Sequence, residues 1–231
     1  LDEAEKSMIE LYIERADIQK GHDILDLGCG WGSFSLYVAE KHPSVSITAV
    51  SNSKDQIAFI QNEAKRRGLF NIKASKMDVN NLDLDNKFDR IVSIEMFEHL
   101  RNYKLILKSL NSLLKPDGRL FVHIFCHKEL TYFYEIKNSY DWMTKYFFEG
   151  GIMPSQDIFK YFDDELEVIN QWDVNGNHYA QTLKAWLNNH YKNKDKILDI
   201  FDKHYDKPKI WFNRWRIFFL SCEAFFAINN G

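Results

Sequence analysis

Short apolar stretches alternate with helical patterns over the first half of the chain. Apolar stretches bounded by turn residues predict five strands, at residues 23–27, 44–50, 72–77, 88–94 and 119–125. Helical spacing and turn residues predict helices at 2–16, 34–41, 55–68 and 103–114, and a turn at 115–118. The fifth strand is almost wholly apolar, as expected for a strand buried on both faces of a parallel sheet. The alternation predicts an α/β fold with a doubly wound, mostly parallel sheet that binds ligands at the carboxyl ends of its strands.

The second half of the chain has a less regular pattern. Residues 127–162 are aromatic and irregular, and they predict a helical lid or insertion after strand five. The rings from Trp142 to Phe148 either form a cage for a cationic or hydrophobic substrate or are a packed part of this lid. A sixth strand is predicted at 166–174, and two long helices are predicted at 179–205 and 209–228.

The length of the chain sets its expected domain organisation. With 231 residues, 45% of them hydrophobic, it suits one domain with a lid. We expect a single domain over 1–231, with a cofactor-binding core at 1–126 and lid and substrate-side helices at 127–165 and 177–231. The sequence starts at Leu1 and stops soon after an aromatic helical pattern, so we expect both ends to be trimmed.

Composition and charge exclude several kinds of partner. The net charge of -3 gives no signature of polyanion binding, so nucleic acid is not expected as a partner. Cys29, Cys126 and Cys222 are odd in number and widely spaced, which argues against a disulfide framework and favours a cytoplasmic setting. The apolar stretch 217–228 contains Glu223 and is too short to be an integral membrane segment. The pattern makes no prediction about the oligomeric state.

The first strand ends directly in a glycine-rich loop. Gly28, Gly30 and Gly32 follow Asp26 at alternate positions. Glycine tolerates a positive φ and has no Cβ, so such a loop can press its N–H groups against a ligand at a helix N-terminus. The spacing differs from the G-x-G-x-x-G of nicotinamide and flavin enzymes. It resembles the S-adenosylmethionine loop of Rossmann-like, class I methyltransferases, which makes Asp26 and the three glycines candidate cofactor-binding residues.

Polar residues at the ends of strands two and three are further candidates for cofactor binding. Rossmann-like folds often place an acid about twenty residues after the glycine loop to bind ribose hydroxyls, but this strand ends in neutral residues. Their hydroxyl and amide groups can bind ribose through neutral hydrogen bonds, with Asp55 as the competing ligand. The alternative is that Ser51 and Ser53 only cap the next helix. The candidates are Ser51, Asn52, Ser53 and Gln56, with Asp78 and Val79 near the adenine.

Two acids and a histidine follow the fourth strand. If the chain turns helical there, Glu95 and Glu98 lie on one face and His99 lies four positions after Glu95. A carboxylate beside an imidazole can take a proton from an amine nucleophile or stabilise a developing cation. The alternative is a solvated loop or a charge pair at a helix N-terminus. His123, inside the apolar fifth strand, is either a hydrogen-bonded core residue or a catalytic one. No spacing resembles a metal-ligand signature, so no metal is expected.

The ordered set of motifs resembles the cyclopropane fatty acid synthase superfamily of methyltransferases. Within it, the chain is most similar to the plant alkaloid N-methyltransferases that act on coclaurine and related benzylisoquinolines. The resemblance covers nearly the whole chain. It rests on the segments 25–32, 51–56, 93–103, 121–128, 146–155 and 175–182.

This resemblance implies a function and a cofactor. It implies S-adenosylmethionine as cofactor and N-methylation of a small amine, with Glu95, Glu98 and His99 in substrate binding and amine deprotonation. In the lipid cyclopropane synthases, the residues matching Glu98, His123 and Tyr179 hold a bicarbonate ion that acts as base. An alternative function is therefore methylene transfer to an unsaturated lipid acyl chain, with peripheral membrane contact through the helix at 209–228. A third alternative is a non-catalytic cofactor-binding scaffold.

Overall fold

A five-stranded parallel sheet forms the core of residues 4–169. The computed structural model describes all residues, Leu1–Gly231, and this sheet lies in the first of its two units. The strand order is β3-β2-β1-β4-β5, and the order reverses between β1 and β4, where such sheets bind ligands at their carboxyl ends. The predicted fold class is confirmed. The strands are β1 (Asp23–Leu27), β2 (Ser46–Ser51), β3 (Ile72–Lys76), β4 (Phe88–Ile94) and β5 (Leu114–His123).

Helices cover both faces of the sheet. They are α1 (Asp2–Arg15), α2 (Ser33–Lys41), α3 (Lys54–Arg67) and α4 (Tyr103–Leu113), each close to its predicted bounds. Because side chains alternate along a strand, Ile24 packs with α1 and α2 on one face, whereas Leu25 and Leu27 pack with α4 on the other. All three are fully buried, and burial of such a side chain contributes about 1.5–3 kcal/mol.

The turn predicted at 115–118 lies inside β5 instead. Leu114 already pairs with Phe88, and the register between β4 and β5 then shifts. Asp117 takes a left-handed φ of 64°, and a Cβ on Gly118 would lie 2.9 Å from the carbonyl oxygen of Phe88. The turn residues therefore form a bulge that is pressed against β4.

The segment after β5 contains short elements and many aromatic contacts. Strand β6 (Tyr132–Phe133) pairs antiparallel with β7 (Ile152–Met153), and a π-helical turn at Thr144–Phe148 lies between them. The ring of Tyr134 stacks on Phe148 at 5.1 Å, and Trp142 meets Phe147 edge-on at 6.1 Å. These contacts favour the packed alternative for the aromatic run over an open cage.

The sixth strand predicted at 166–174 is wrong. This segment has no regular secondary structure. Leu166 packs against the core cluster that contains α4, whereas Val168 and Ile169 are exposed. The apolar residues are thus divided between core and solvent and do not face a neighbouring strand.

Residues 170–231, together with 1–3, form the second unit. The single helix predicted at 179–205 breaks at Asn193, whose N–H donates to the carbonyl of Asn189. The ring of His190 stacks on Phe212 at 3.9 Å. None of the chain's helices has the length and apolar character needed to cross a membrane. The helices of this unit are α5 (Gly176–Lys192), α6 (Lys194–His204) and α7 (Pro208–Ala227).

Candidate active site

The glycine loop after β1 forms an open cradle. Gly28, Gly30 and Gly32 take positive φ values of 81°, 52° and 83°, which favour glycine. A Cβ on Gly28 would lie 2.6 Å from Met96, and one on Gly32 would lie 2.6 Å from Ile60. Around Gly30, no heavy atom lies within 4 Å of the Cβ position. The loop is therefore tightly packed on two sides and has room for a ligand at the N-terminus of α2.

Asp26 lies beneath this loop and is almost fully buried. Its Oδ2 accepts a hydrogen bond of 2.6 Å from the Oγ of Ser35, in the first turn of α2. Burial raises the pKa of Asp26 to about 7, and the hydrogen bond from Ser35 opposes this shift. The pair ties the end of β1 to α2, and the contact of Asp26 with a cofactor stays a prediction.

The polar residues after β2 are held beside the glycine loop. The N–H groups of Gly28 and Cys29 both donate to the carbonyl of Val50 at 3.0 Å. Ser51 donates from its Oγ to the Oε1 of Gln56 at 2.6 Å. The capping alternative therefore describes Ser53, and Ser51 instead orients the amide of Gln56.

Ser53, Asn52 and Asp55 complete this turn. The Oγ of Ser53 accepts a hydrogen bond of 3.4 Å from the N–H of Gln56 and caps α3. Asn52 and Asp55 are exposed. Their roles toward the ribose stay predictions.

Asp78 and Val79 follow β3 next to this turn. The N–H of Met77 donates to the carbonyl of Ser51 at 2.9 Å, which joins the two strand ends. The Oδ1 of Asp78 accepts hydrogen bonds of 2.9 Å from both the N–H and the side chain of Asn80. The predicted residues after β1, β2 and β3 thus lie together at the carboxyl ends of these strands.

Glu95 contacts His123 through both its backbone and its side chain. Its N–H donates to the carbonyl of His123 at 2.8 Å, and its Oε1 lies 3.3 Å from the Nε2 of His123. Its φ of 52° is left-handed, which is uncommon for a residue other than glycine. The chain turns helical only at Phe97–His99, so the predicted helical face shared by Glu95 and Glu98 does not form.

Glu98 is a buried acid. It is 1% exposed, and neither carboxyl oxygen makes a hydrogen bond of good geometry. Burial, and then the charge of Glu95, raise its pKa to about 9, although the nearby N–H groups of Glu98 and Phe125 oppose this shift. Glu98 therefore holds its proton at neutral pH.

His99 and Met96 connect this cluster to solvent and to the glycine loop. His99 reaches solvent, yet its partial burial lowers its pKa, against the opposing charge of Glu95. A neutral imidazole at neutral pH can accept a proton. Met96 fills the space that a Cβ on Gly28 would need, and Ser93 donates to the carbonyl of Leu27 at 3.2 Å. The cluster of Glu95, Glu98, His99 and His123, here called the acid cluster, thus lies beside the loop.

Two residues without a predicted role, Gly151 and Tyr12, also contact the acid cluster. A Cβ on Gly151 would lie 2.6 Å from the carbonyl oxygen of Glu98, so the segment after β5 presses on the acid cluster. The ring of Tyr12, in α1, meets His123 edge-on at 5.2 Å. The adjacent glycines 150 and 151 are a sequence signal for the close approach of Gly151 to Glu98. Tyr12 is one apolar position in a helical pattern, and no local signal distinguishes it.

Tyr179 lies in the unit of residues 170–231. Its ring contacts Phe226 at 4.4 Å and Trp186 at 6.1 Å. Its role stays a prediction that rests on the resemblance. No group of three or more His, Cys, Asp or Glu side chains is placed to hold a metal ion.

Comparisons with known proteins identify relatives over the whole chain. The sequence profile of the family described as mycolic acid cyclopropane synthetase matches residues 1–230. (S)-coclaurine N-methyltransferase of Thalictrum flavum subsp. glaucum is 41% identical over 238 residues, which cover 100% of this chain and 66% of that protein. The enzyme of the same name from Papaver somniferum is 38% identical over 237 residues, with coverages of 100% and 67%.

A solved structure supports the same relationship. The crystal structure of coclaurine N-methyltransferase bound to N-methylheliamine and SAH is 40% identical, with a TM-score of 0.95, and the match covers 100% of this chain and 70% of that one. The chain therefore has the fold of that enzyme. It spans about two thirds of the length of the curated relatives that it matches.

Alanine substitutions at Gly28 and Gly30 test the cradle. Both positions have positive φ, so each substitution costs roughly 1–2 kcal/mol of backbone strain. Gly28→Ala also collides with Met96, which adds about 1–3 kcal/mol of overpacking. Chemical denaturation should therefore find Gly28→Ala the less stable variant. Gly30→Ala should keep the fold but weaken S-adenosylmethionine binding in calorimetry. Equal stability of the two variants would contradict the tight packing at Gly28.

The pH dependence of stability tests the state of Glu98. The folded chain holds a proton on Glu98 that the unfolded chain releases, so the free energy of unfolding falls as pH rises from 4.5 to about 9. Glu98→Gln has no carboxyl group to titrate at this position, so it removes this fall in the free energy of unfolding. Urea denaturation should show the variant gaining stability over the parent as pH rises, by on the order of 1–3 kcal/mol at pH 8 relative to pH 5. Glu149→Gln, at an exposed glutamate, is the control, and a gain from Glu98→Gln that does not change with pH would refute the assignment.

Proposed function

Because the chain belongs to the mycolic acid cyclopropane synthetase family, we propose that it is an S-adenosylmethionine-dependent methyltransferase that methylates the nitrogen of a small amine. Two kinds of evidence support the proposal. The relatives of 38–41% identity are named (S)-coclaurine N-methyltransferases. The acid cluster beside the glycine loop supplies groups that can handle the proton of an amine.

The residues that follow the carboxyl ends of β1, β2 and β3 fit S-adenosylmethionine. The open space at Gly30 is room that a side chain would fill. Hydroxyl and amide groups of Ser51, Asn52, Ser53 and Gln56 would hold the ribose hydroxyls, with Asp78 and Val79 next to the adenine. Asp26 would support the loop through Ser35. The glycine loop itself would hold the amino-acid part at the N-terminus of α2.

The position of Met96 carries the functional proposal. Met96 packs into the space beside Gly28, so the acid cluster begins one residue away from the wall of the cofactor cradle. When bound, S-adenosylmethionine supplies a methyl group on a sulfonium sulfur, which becomes a neutral thioether as the amine lone pair forms the new C–N bond. The methylated secondary amine is then a tertiary ammonium ion, and its proton can pass to a basic group of this chain. Positioning of the amine accounts for most of the acceleration.

We assign different roles to the acids of the cluster. Glu95 carries the negative charge that raises the pKa of Glu98, so Glu95 is the carboxylate that attracts the amine and accepts its proton. His99, whose pKa is lowered by burial, is the second acceptor and opens to solvent. Glu98 keeps its own proton and offers a neutral hydrogen-bonding group.

The extent of the domain and the cellular setting are also proposals. The family profile matches residues 1–230, which supports a single methyltransferase domain with the predicted core at 1–126. The buried thiols of Cys29 and Cys222 suit a reducing compartment such as the cytosol.

A second candidate is methylene transfer to an unsaturated lipid chain. One observation favours it. Of the residues that the resemblance assigns to bicarbonate, His123 ends β5 and Glu98 lies in the turn that follows the neighbouring strand β4, and the N–H of Phe125 lies near the Glu98 carboxyl. Bicarbonate would then be the base and the acceptor a lipid surface.

Transfer of a labelled methyl group separates these candidates. We expect label from S-adenosylmethionine in tetrahydroisoquinoline, a ring-closed secondary amine, without added bicarbonate. Label only in unsaturated phospholipid vesicles, and only with bicarbonate, would establish methylene transfer instead. If the chain binds S-adenosylmethionine but labels neither acceptor, the result would favour the non-catalytic cofactor-binding scaffold.

Substitution of Glu95 tests its role as proton acceptor. Glu95→Gln keeps the size of the side chain but removes its charge, so kcat/KM for the amine should fall by about 100-fold or more. Glu149→Gln is the control, at an exposed acid outside the acid cluster. Unchanged kcat/KM in Glu95→Gln would show that another group takes the proton.

A further inference from the structure

Tyr12 is a tyrosine of α1 in contact with the acid cluster. It is 7% exposed, and its ring meets His123 edge-on at 5.2 Å and Phe121 at 5.6 Å. Burial raises the pKa of the Tyr12 hydroxyl, and the charge of Glu95 raises it further. The hydroxyl of Tyr12 is therefore close enough to Glu95 for an electrostatic interaction. Tyr12 lies on α1, which precedes the glycine loop and the acid cluster in the chain.

Glu95 needs support from its neighbours. Its left-handed backbone is a strained conformation for a residue with a side chain, and its side chain is 29% exposed. The contact between its Oε1 and the Nε2 of His123 is one restraint on the carboxylate.

The imidazole of His123 requires a restraint of its own. The terminal torsion of a histidine is broad, so the strand backbone alone does not fix the direction of Nε2. The ring of Tyr12 packs against the ring of His123 in a T-shaped contact, and Glu95 contacts its Nε2. Edge-on ring contacts of this kind are favourable.

We propose that Tyr12 and His123 are positioning residues for Glu95: the ring of Tyr12 holds the imidazole of His123, and this imidazole holds the Glu95 carboxylate where it receives the proton of the amine. The inference rests on the proposed function, because it assigns Glu95 the amine's proton. It adds a residue from α1 to the site, which neither the glycine loop nor the acid cluster contains.

Tyr12→Leu and Tyr12→Phe provide the kinetic test. Tyr12→Leu removes the ring, and we expect kcat for tetrahydroisoquinoline to fall about 10-fold with KM nearly unchanged, because a misplaced acceptor slows the step rather than binding. Tyr12→Phe keeps the ring and should keep kcat near that of the parent chain. Ile13→Ala, in the same core cluster, controls for a general loosening of α1. Equal kcat values in Tyr12→Leu and the parent would overturn the proposal, as would an equal loss in Ile13→Ala.

The chemical shift of the His123 imidazole provides a readout that does not depend on turnover. The groups that face Glu95 are Glu98 and His99 from its own segment, His123 from β5 and Tyr12 from α1, with Arg15 next to Tyr12. In nuclear magnetic resonance at a fixed pH, we expect Glu95→Gln and Tyr12→Leu to change the nitrogen chemical shift of the His123 Nε2, whereas Tyr12→Phe leaves it in place. A Nε2 chemical shift that is the same in all variants would overturn the inference.

The two experiments separate failure of the inference from failure of the proposed function. If the parent chain methylates no amine but the Nε2 chemical shift of His123 responds as expected, the proposed function fails and the contact between Tyr12, His123 and Glu95 stands without a role in proton transfer. If the parent methylates the amine and neither readout responds, the inference fails alone.

Discussion

The packing of Met96 against Gly28 is the contact on which the candidate site depends. A methyl group on Gly28 would occupy the place of the Met96 side chain, so the loop after β1 and the loop after β4 can approach only because the first has no side chain there. This approach puts a cofactor cradle next to the acid cluster. The crevice lies between the carboxyl ends of β1 and β4, where the strand order reverses. These two strands are neighbours, although β2 and β3 come between them in the chain and lie on the far side of β1.

The electrostatics of the acid cluster follow from this crowding. Glu98 is buried without a well-formed hydrogen bond, a costly arrangement for a charged group, so the acid is kept neutral. Glu95 lies beside His123 and stays partly exposed. Two carboxyl groups three residues apart thus lie in different surroundings, because one is enclosed and the other reaches solvent.

The sequence predicted the elements that carry strong local signals. The parallel strands, the glycine loop and the caps of α3 follow from apolar runs and from residues with particular backbone preferences. The break at Asn193 lies in a run of five polar residues, 192–196, which contains neither glycine nor proline, so the sequence gives no strong stop signal there. The left-handed turn at Glu95 was not predictable either, since glutamate does not favour it and the contacts with β5 and His123 impose it. Tyr12 reaches the site only through tertiary packing of α1, which no short-range pattern encodes.

In the proposed function, the acid cluster receives the amine beside the bound cofactor. A crystal structure of this chain with S-adenosylhomocysteine and tetrahydroisoquinoline would give the distance from the amine nitrogen to the carboxylate of Glu95. We expect a hydrogen bond, with a nitrogen–oxygen distance of about 2.7–3.2 Å. An amine that is well ordered elsewhere, with its nitrogen out of contact with Glu95 and His99, would contradict it.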